Sequence, residues 1–270
     1  MACLTLTLML ITADPGHRRF DILGSVGPRC NDFESFGKGD GEKRACGLTK
    51  LMSPCRIFSI GSSQVWDFEA EIVERTPCHV DTFDCTGDPQ LMPPAQLRSR
   101  VKLHHVCIGA SNVTRYSDNH PRVFLDWQSM LNLVKLDKPP DFLKMDVEGF
   151  EYDVIRSILR NSPPELLPTQ IGFELHYKTQ MTELSWYGRE ISAAEMALFM
   201  DHLTRVGGYS LIDRHDNPYC PHCSELLVSR VHQNISRLTK SRSPGAHGQL
   251  HKTSRPMEDI LGFAKHAVGA

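Results

Sequence analysis

The chain has no hydrophobic run approaching the ~18 residues of a membrane span, no excess of one charge, and no glycine-rich fingerprint for a pyrophosphate. Its 30 Lys and Arg stand against 32 Asp and Glu, a net charge of −2. No basic face stands out, so no nucleic-acid partner is expected. A second Cys-x-x-Cys is missing too. Cys220-Pro-His-Cys223 therefore supplies two of the four ligands a structural zinc needs, with His215 and His222 as the nearest candidates for the rest. A disulfide or free thiols fits that segment better. Its place between two strands, rather than at a strand-to-helix turn, also separates it from the thioredoxin-like redox motif.

What is present is ordinary for a globular α/β protein: 270 residues, 40% hydrophobic and 23% charged, room for one large domain or two small ones. Nine cysteines are many for a reducing cytosol. Asn112-Val-Thr114 and Asn234-Ile-Ser236 are acceptor triplets for N-glycans. The start, ACLTLTLMLITA, resembles the apolar core of a secretory signal but has no basic residues ahead of it. It reads either as a signal or anchor remnant or as an unremarkable or truncated N-terminus, and membrane association is expected only in the first case. Together these features lean toward the secretory pathway, with the cytoplasm as the alternative.

Residues 14–50 read as a lead-in with loops. Strands are expected at Cys55–Gly61, His79–Asp84, Val101–Ile108, Phe142–Val147 and Gln170–His176, with two more at Tyr209–Asp213 and Leu226–Val231. Helices are expected at Phe68–Arg75, over 90–100 after Pro93-Pro94, at Trp127–Leu136, Glu151–Leu159 and Ile191–Val206, the last stopped by Gly207-Gly208. Alternating strands and helices predict an α/β fold with a mostly parallel sheet and helices on both faces. The last two strands are joined by too short a loop for a parallel crossover, so they form a C-terminal antiparallel hairpin. Beyond residue 232, Arg237, Lys240, Arg242, Lys252, Arg255 and Lys265 face only Glu258 and Asp259. This reads as a flexible basic tail, dispensable for folding, with a short helix near 257–266. The domain plan is thus a lead-in over 1–35, one domain over 36–231 and the tail over 232–270.

The most informative stretch is Asp141 to Ile155, DFLKMDVEGFEYDVI. It begins as a buried strand, ends as a helix start, and gathers Asp146, Glu148 and Glu151 around Gly149. Ligands of open α/β sheets sit beyond the carboxyl ends of strands, so this junction is a candidate site; the alternative is that the acids only cap the helix. Ile60-Gly61-Ser62-Ser63 follows the first strand with one glycine where a dinucleotide fingerprint has three. That argues against NAD and suits an adenosine-thioether ligand. Asp84 ends the second strand, where such folds place an acid for ribose hydroxyls; equally it can be a turn residue before Gly87-Asp-Pro.

CRIFSIG, WDFE, VDTFDCT, FLDWQSMLNLV, DFLKMDVEGFEYDVI and IGFELHY together resemble FkbM-type S-adenosylmethionine-dependent methyltransferases. The family's KxDxEGxE signature stands here as Lys144, Asp146, Glu148, Gly149 and Glu151, with Asp126 ahead of the preceding helix. GDGEKRACGL (Gly39 to Leu48) and RHDNPYCPHCSELLV (Arg214 to Val228) resemble its eukaryotic methyltransferase-like branch. The resemblance covers about residues 36–231 and implies a seven-stranded class I methyltransferase (Rossmann-like) fold with S-adenosylmethionine as cofactor. It would place Ile60, Gly61 and Ser62 under the methionine moiety, Asp84 at the ribose and Cys85 beside the adenine. Ile108 and Gly109 would flank the adenine, and Asp146 would face the cofactor's amino group or the substrate.

A sulfonium is already a strong methyl donor, so the protein must align the reactants and take a proton from a hydroxyl acceptor. Strand-end candidates are Asp146, Glu148, Glu174 and His176. Glu174 and His176 are two apart and share a side of their strand; the alternative for His176 is a strand-end histidine with no role. Cys46 and Cys55 fall near the first strand and could pair with each other if the compartment is oxidising, though the sequence leaves the pairing of the nine cysteines open. The expected activity is methylation of a small-molecule or glycan hydroxyl; the alternative is an inactive methyltransferase fold used as a binding or scaffold module.

Overall fold

A computed structural model describes residues 22–88, 90–117, 120–177, 190–220 and 222–230. All fall in the larger of two units of the chain, Met1–Gln233. The expected tail and its short helix lie outside the described residues, as does the apolar start.

In chain order the elements are β1 (Phe33–Phe36), β2 (Lys43–Cys46), β3 (Arg56–Ile60), α1 (Asp67–Arg75), β4 (His79–Phe83), β5 (Val101–His104) and β6 (Cys107–Ile108). There follow β7 (Val113–Ser117), β8 (His120–Leu125), α2 (Trp127–Leu133), β9 (Phe142–Met145), α3 (Glu151–Asn161), β10 (Gln170–His176), α4 (Ala193–Asp201), β11 (Tyr209–Asp216) and β12 (Cys223–Arg230). Seven strands form one sheet in the order β11-β12-β10-β9-β3-β4-β5. β5, β4, β3, β9 and β10 are parallel, and β12 runs antiparallel between β10 and β11.

The period-2 alternation of the strands feeds two cores. Phe58, Ile60, Leu143, Met145, Ile171 and Phe173 pack under α2, α3 and α4. Ile57, Val80, Phe142 and Leu227 pack on the other face against α1, through Phe68 and Ile72, and against Phe36 and Ala45 of the β1–β2 hairpin. Helices thus cover both faces. Local chemistry sets their ends. The Asp126 side chain accepts from the Ser129 amide at 2.8 Å to cap α2, and Ser192 with Glu195 forms a capping box on α4. Asp67 and Glu69 open α1 and Arg75 closes it, matching the helix dipole.

Several expectations are corrected. Residues 14–50 are not simply loops, because β1 and β2 pair over 33–46 and bury Phe36, Lys43 and Ala45. No helix forms over 90–100. After Pro93-Pro94 the chain makes turns (Leu97 N to Pro94 O at 2.8 Å, Arg100 N to Leu97 O at 2.9 Å), too short a run to propagate a helix. The strand expected at 101–108 is broken after His104, where the Val106 amide turns back onto the His104 carbonyl; Cys107 then joins β8 in a separate small sheet with β7. Cys46 and Cys55 do not pair with each other. Cys46 bonds Cys30 and Cys55 bonds Cys78, because β2 lies under the lead-in whereas Cys55 and Cys78 precede adjacent parallel strands.

Candidate active site

Beyond β3 the sheet order reverses: one branch of the chain continues to β4 and β5, and the other returns to β9. That switch point is where open α/β sheets bind ligands. The Gly61 amide donates to the Phe83 carbonyl at 3.0 Å and the Asp146 amide to the Ile60 carbonyl at 3.0 Å, so the chain ends of β3, β4 and β9 are held edge to edge. Gly61 has φ +74°, and a Cβ there would lie 1.6 Å from the Asp146 carbonyl oxygen. Only glycine fits this crossing.

A cavity of about 320 Å³ opens above it, at the lower end of the range for small-molecule and cofactor sites. Its floor is Ile60, Gly61, Ser62 and Asp146. Phe83, Ile108, Phe124 and Phe150 give apolar walls, and Lys38, Asp40 and Glu148 stand at the polar end. Cys85 and Cys107, both lining residues, form a disulfide, and Arg122 Nη1 donates to the Cys85 carbonyl. Those two bonds fasten the loop after β4 to β6 and β8.

Asp84 lies inside this frame, 7% exposed. Its Oδ2 accepts from the amides of Ser62 (3.0 Å) and Ser63 (2.7 Å), and its Oδ1 from the amide and hydroxyl of Thr86 (2.8 and 2.7 Å). These bonds hold the turn in which Ser63 and Gln64 take left-handed backbone, φ +46° and +61°. Strain of this kind persists where surrounding structure dictates it, often at ligand sites.

Beneath the cavity is a buried charged layer covered by the β1–β2 hairpin. Lys43 Nζ lies 2.7 Å from Glu225 Oε1 and 3.5 Å from Asp146 Oδ2. Lys144 Nζ donates to the Gly61 carbonyl at 2.7 Å. Burial favours neutral Lys144 and outweighs the pull of Asp146, so its pKa is lowered. Burial opposes ionisation of Asp146, but Lys43, then Lys144 and His176, more than offset it and hold the carboxyl below its ordinary range. Glu174 moves the other way: burial first, then the Asp146 charge, push it up to about 9, and its Oε1 accepts from Asn217 Nδ2 at 2.7 Å.

His176 joins this layer to the turn after β9. Its Nδ1 is 3.0 Å from Glu151 Oε1, and its Nε2 is 3.3 Å from Glu148 Oε2 and 3.7 Å from Glu174 Oε2. Burial would lower its pKa, but Glu151 and the hydrogen bonds with Glu148 and Glu151 raise it well above the usual value. Glu151 Oε1 also accepts from the amides of Val147 and Gly149, fixing the turn in which Glu148 has φ +55°. Ligand atoms of Asp146, Glu148 and His176 lie within 4.8 Å of one another, as a cation site would need. Lys43 stands beside that group as a cation, 3.5 Å from Asp146 Oδ2.

Of the residues singled out in the sequence, Ile60, Gly61, Ser62, Asp84, Cys85, Ile108, Asp146 and Glu148 line one cavity. Gly109 and His176 do not line it: the Gly109 amide is bound to the Leu125 carbonyl, and His176 is 2% exposed behind Glu148. Lys43, Lys38, Asp40, Phe124 and Cys107 escaped sequence reasoning. Lys43 stands in a polar run, Glu42-Lys-Arg44, and no signal marks it as the buried member. Cys220 and Cys223 form a disulfide, and their sulfurs lie within 4.8 Å of ligand atoms of Glu174 and His176.

The strand order, the single reversed strand and the switch-point cavity define a class I methyltransferase fold. Residues 28–228 match the family described as "Methyltransferase domain", and the chain belongs to that family. No curated protein matches the chain. Among solved structures it is similar to the fibrillarin/Nop5p complex (11% identity, 67% of this chain and 74% of that one, TM-score 0.41). It is also similar to CalO1, a methyltransferase of calicheamicin biosynthesis in its SAH-bound form (11%, 68% and 52%, TM-score 0.39). A third is RosA, the N,N-8-amino-8-demethyl-D-riboflavin dimethyltransferase of Streptomyces davawensis (14%, 68% and 50%, TM-score 0.35). At these TM-scores the three add nothing to the family match.

Proposed function

We propose that the protein is an S-adenosylmethionine-dependent methyltransferase acting on a hydroxyl of a small molecule or glycan. The carrying observation is the crossing of Gly61 over the Asp146 carbonyl, a contact only glycine allows, which brings the ends of β3 and β9 together at the floor of the switch-point cavity. The residues fit the cofactor. Ser62 and Asp146 offer polar groups beside Gly61, and Phe83, Ile108 and Phe124 offer apolar walls for a flat base. The Lys144–Glu151 segment supports an FkbM-type placement within the family.

When bound, S-adenosylmethionine supplies an electrophilic methyl group. The chain's own residues have three tasks. Asp146, kept charged by Lys43, presents a fixed carboxylate to the cofactor's amino group or the acceptor. Glu148, its side chain 41% exposed at the cavity's polar end, takes the proton released by the acceptor hydroxyl. His176, already charged and buried, is a positioning residue that clamps Glu148 from behind.

The test is formation of S-adenosylhomocysteine with sugars, oligosaccharides and phenols as acceptors. Turnover that falls at least tenfold in Glu148→Gln, with cofactor affinity kept, supports the reading. Equal turnover in that variant removes Glu148 as the proton acceptor. A second reading, a non-catalytic binding module, is favoured by Asp84: both its oxygens are taken by the protein's own donors. Absence of cofactor binding by the folded protein would support it.

A further inference from the structure

Eight cysteines pair within the described residues: Cys30–Cys46, Cys55–Cys78, Cys85–Cys107 and Cys220–Cys223. They tie the lead-in to β2, the start of β3 to that of β4, the loop after β4 to β6, and the β11–β12 turn to itself. Structural disulfides form and persist in oxidising compartments and are rare where glutathione keeps thiols reduced. Four such bonds are what a fold assembled in an oxidising lumen would carry. That is also where Asn-x-Ser/Thr triplets receive glycans.

Asn112-Val113-Thr114 lies at the entry to β7, within a run, 110–116, in which every residue is exposed. Val113 is 39% and Tyr116 69% exposed, so the chain on the carboxyl side of the asparagine stands clear of the core. No proline occupies the middle position. In the folded protein Asn112 Oδ1 accepts from the Asp126 amide at 2.8 Å and Nδ2 donates to Ser129 Oγ at 2.9 Å. A glycosylated asparagine keeps its carbonyl oxygen and one amide hydrogen, so both bonds survive the modification. The side chain lies along the surface at the start of α2, and its second amide hydrogen is not needed by the fold.

We propose that Asn112 is an attachment site for an N-linked glycan. In the transfer, Asn112 Nδ2 forms a bond to the anomeric carbon of a lipid-linked oligosaccharide. The sugar–phosphate bond breaks, the lipid pyrophosphate leaves with its electron pair, and Nδ2 gives one proton to a base of the transferase. This rests on the disulfides and the exposed triplet and is independent of methyl transfer.

The test is to secrete the full chain from eukaryotic cells behind a cleavable leader, and to treat the secreted protein with peptide N-glycosidase in heavy-oxygen water. The expected result is a mobility shift and a heavy-oxygen aspartate at position 112. The shift assigned to 112 is lost in Asn112→Gln and in Thr114→Ala and kept in Thr114→Ser. Thr114→Ala leaves the Asn112 side chain in place, so its loss of glycan is not a folding effect. Asn234→Gln separates the second triplet. Unmodified Asn112 in secreted protein, or a shift removed entirely by Asn234→Gln, overturns the proposal.

Discussion

Lys43 and Asp146 are 103 residues apart in the chain and 3.5 Å apart in the fold, Nζ to Oδ2. The lysine comes from the N-terminal hairpin and the aspartate from the turn that ends β9. The hairpin is therefore more than a lid on the second core; it brings the cation that keeps the candidate site's central carboxylate charged. Removing the cation leaves Asp146 and Glu225 without their buried partner. Lys43→Met is expected to lower stability by about 3 kcal/mol in urea unfolding, and Glu225→Leu in the same chain to recover part of it. A single-variant loss below about 1 kcal/mol would show that the layer does not depend on Lys43.

Gly61→Ala places a Cβ 1.6 Å from the Asp146 carbonyl at φ +74°. Neither strand end can retreat without breaking the bonds from Gly61 N to Phe83 and from Asp146 N to Ile60. Overpacking and left-handed strain add to about 3 kcal/mol or more. The variant should melt well below the parent and lose cofactor affinity; a melting temperature equal to the parent's would contradict the close crossing.

Acid stability has a definite source in Asp213. Arg44 lies 2.6 Å from its Oδ2 and Arg29 2.7 Å from its Oδ1. Burial opposes ionisation, but hydrogen bonds from His215 and Arg44 and the arginine charges win, and the pKa falls to about 2. The unfolded value is about 3.9. The stabilisation is therefore present in full above about pH 4 and lost as pH falls through 2, a term on the order of 2 kcal/mol. The stability gap between parent and Asp213→Asn, measured in urea, should shrink across that window. A gap independent of pH would contradict the assignment.

Glu174 has the opposite sign. Its pKa is raised by burial to about 9 in the fold and is about 4.3 unfolded. Its contribution is complete below about pH 4.3 and is lost as pH rises through 9. Glu174→Gln cannot titrate, so its stability should gain on the parent's from neutral toward alkaline pH, on the order of 1 kcal/mol per unit. Parallel curves would mean that Glu174 is charged in the fold.

The legible parts of this fold were those whose patterns are short-range. Short apolar runs gave the strands at 56–60, 142–145 and 170–176, and acids and glycines at their ends gave most of the cavity floor. What stayed hidden depends on long-range pairing. The β1–β2 hairpin has a polar sequence, because Lys43 and Arg44 are there to meet Glu225, Asp146 and Asp213. β7 and β8 carry exposed residues on both faces, so no alternation marks them. The disulfide partners of Cys46 and Cys55 follow from strand adjacency, which spacing along the chain does not encode. His176, a candidate base at the end of β10, is buried between Glu148 and Glu151, a contact visible only once the turn after β9 is folded.

Calorimetric titration of the folded protein with S-adenosylmethionine, with S-adenosylhomocysteine as product control and Asp84→Ala as variant, decides whether the cavity holds the cofactor. Micromolar binding is expected for the parent and at least tenfold weaker binding for the variant, a loss of ~1.4 kcal/mol or more. That holds whether Asp84 meets the ribose or only holds the Ser62–Ser63 turn. No heat of binding up to millimolar cofactor, from protein shown to be folded, would contradict it and leave the non-catalytic module standing.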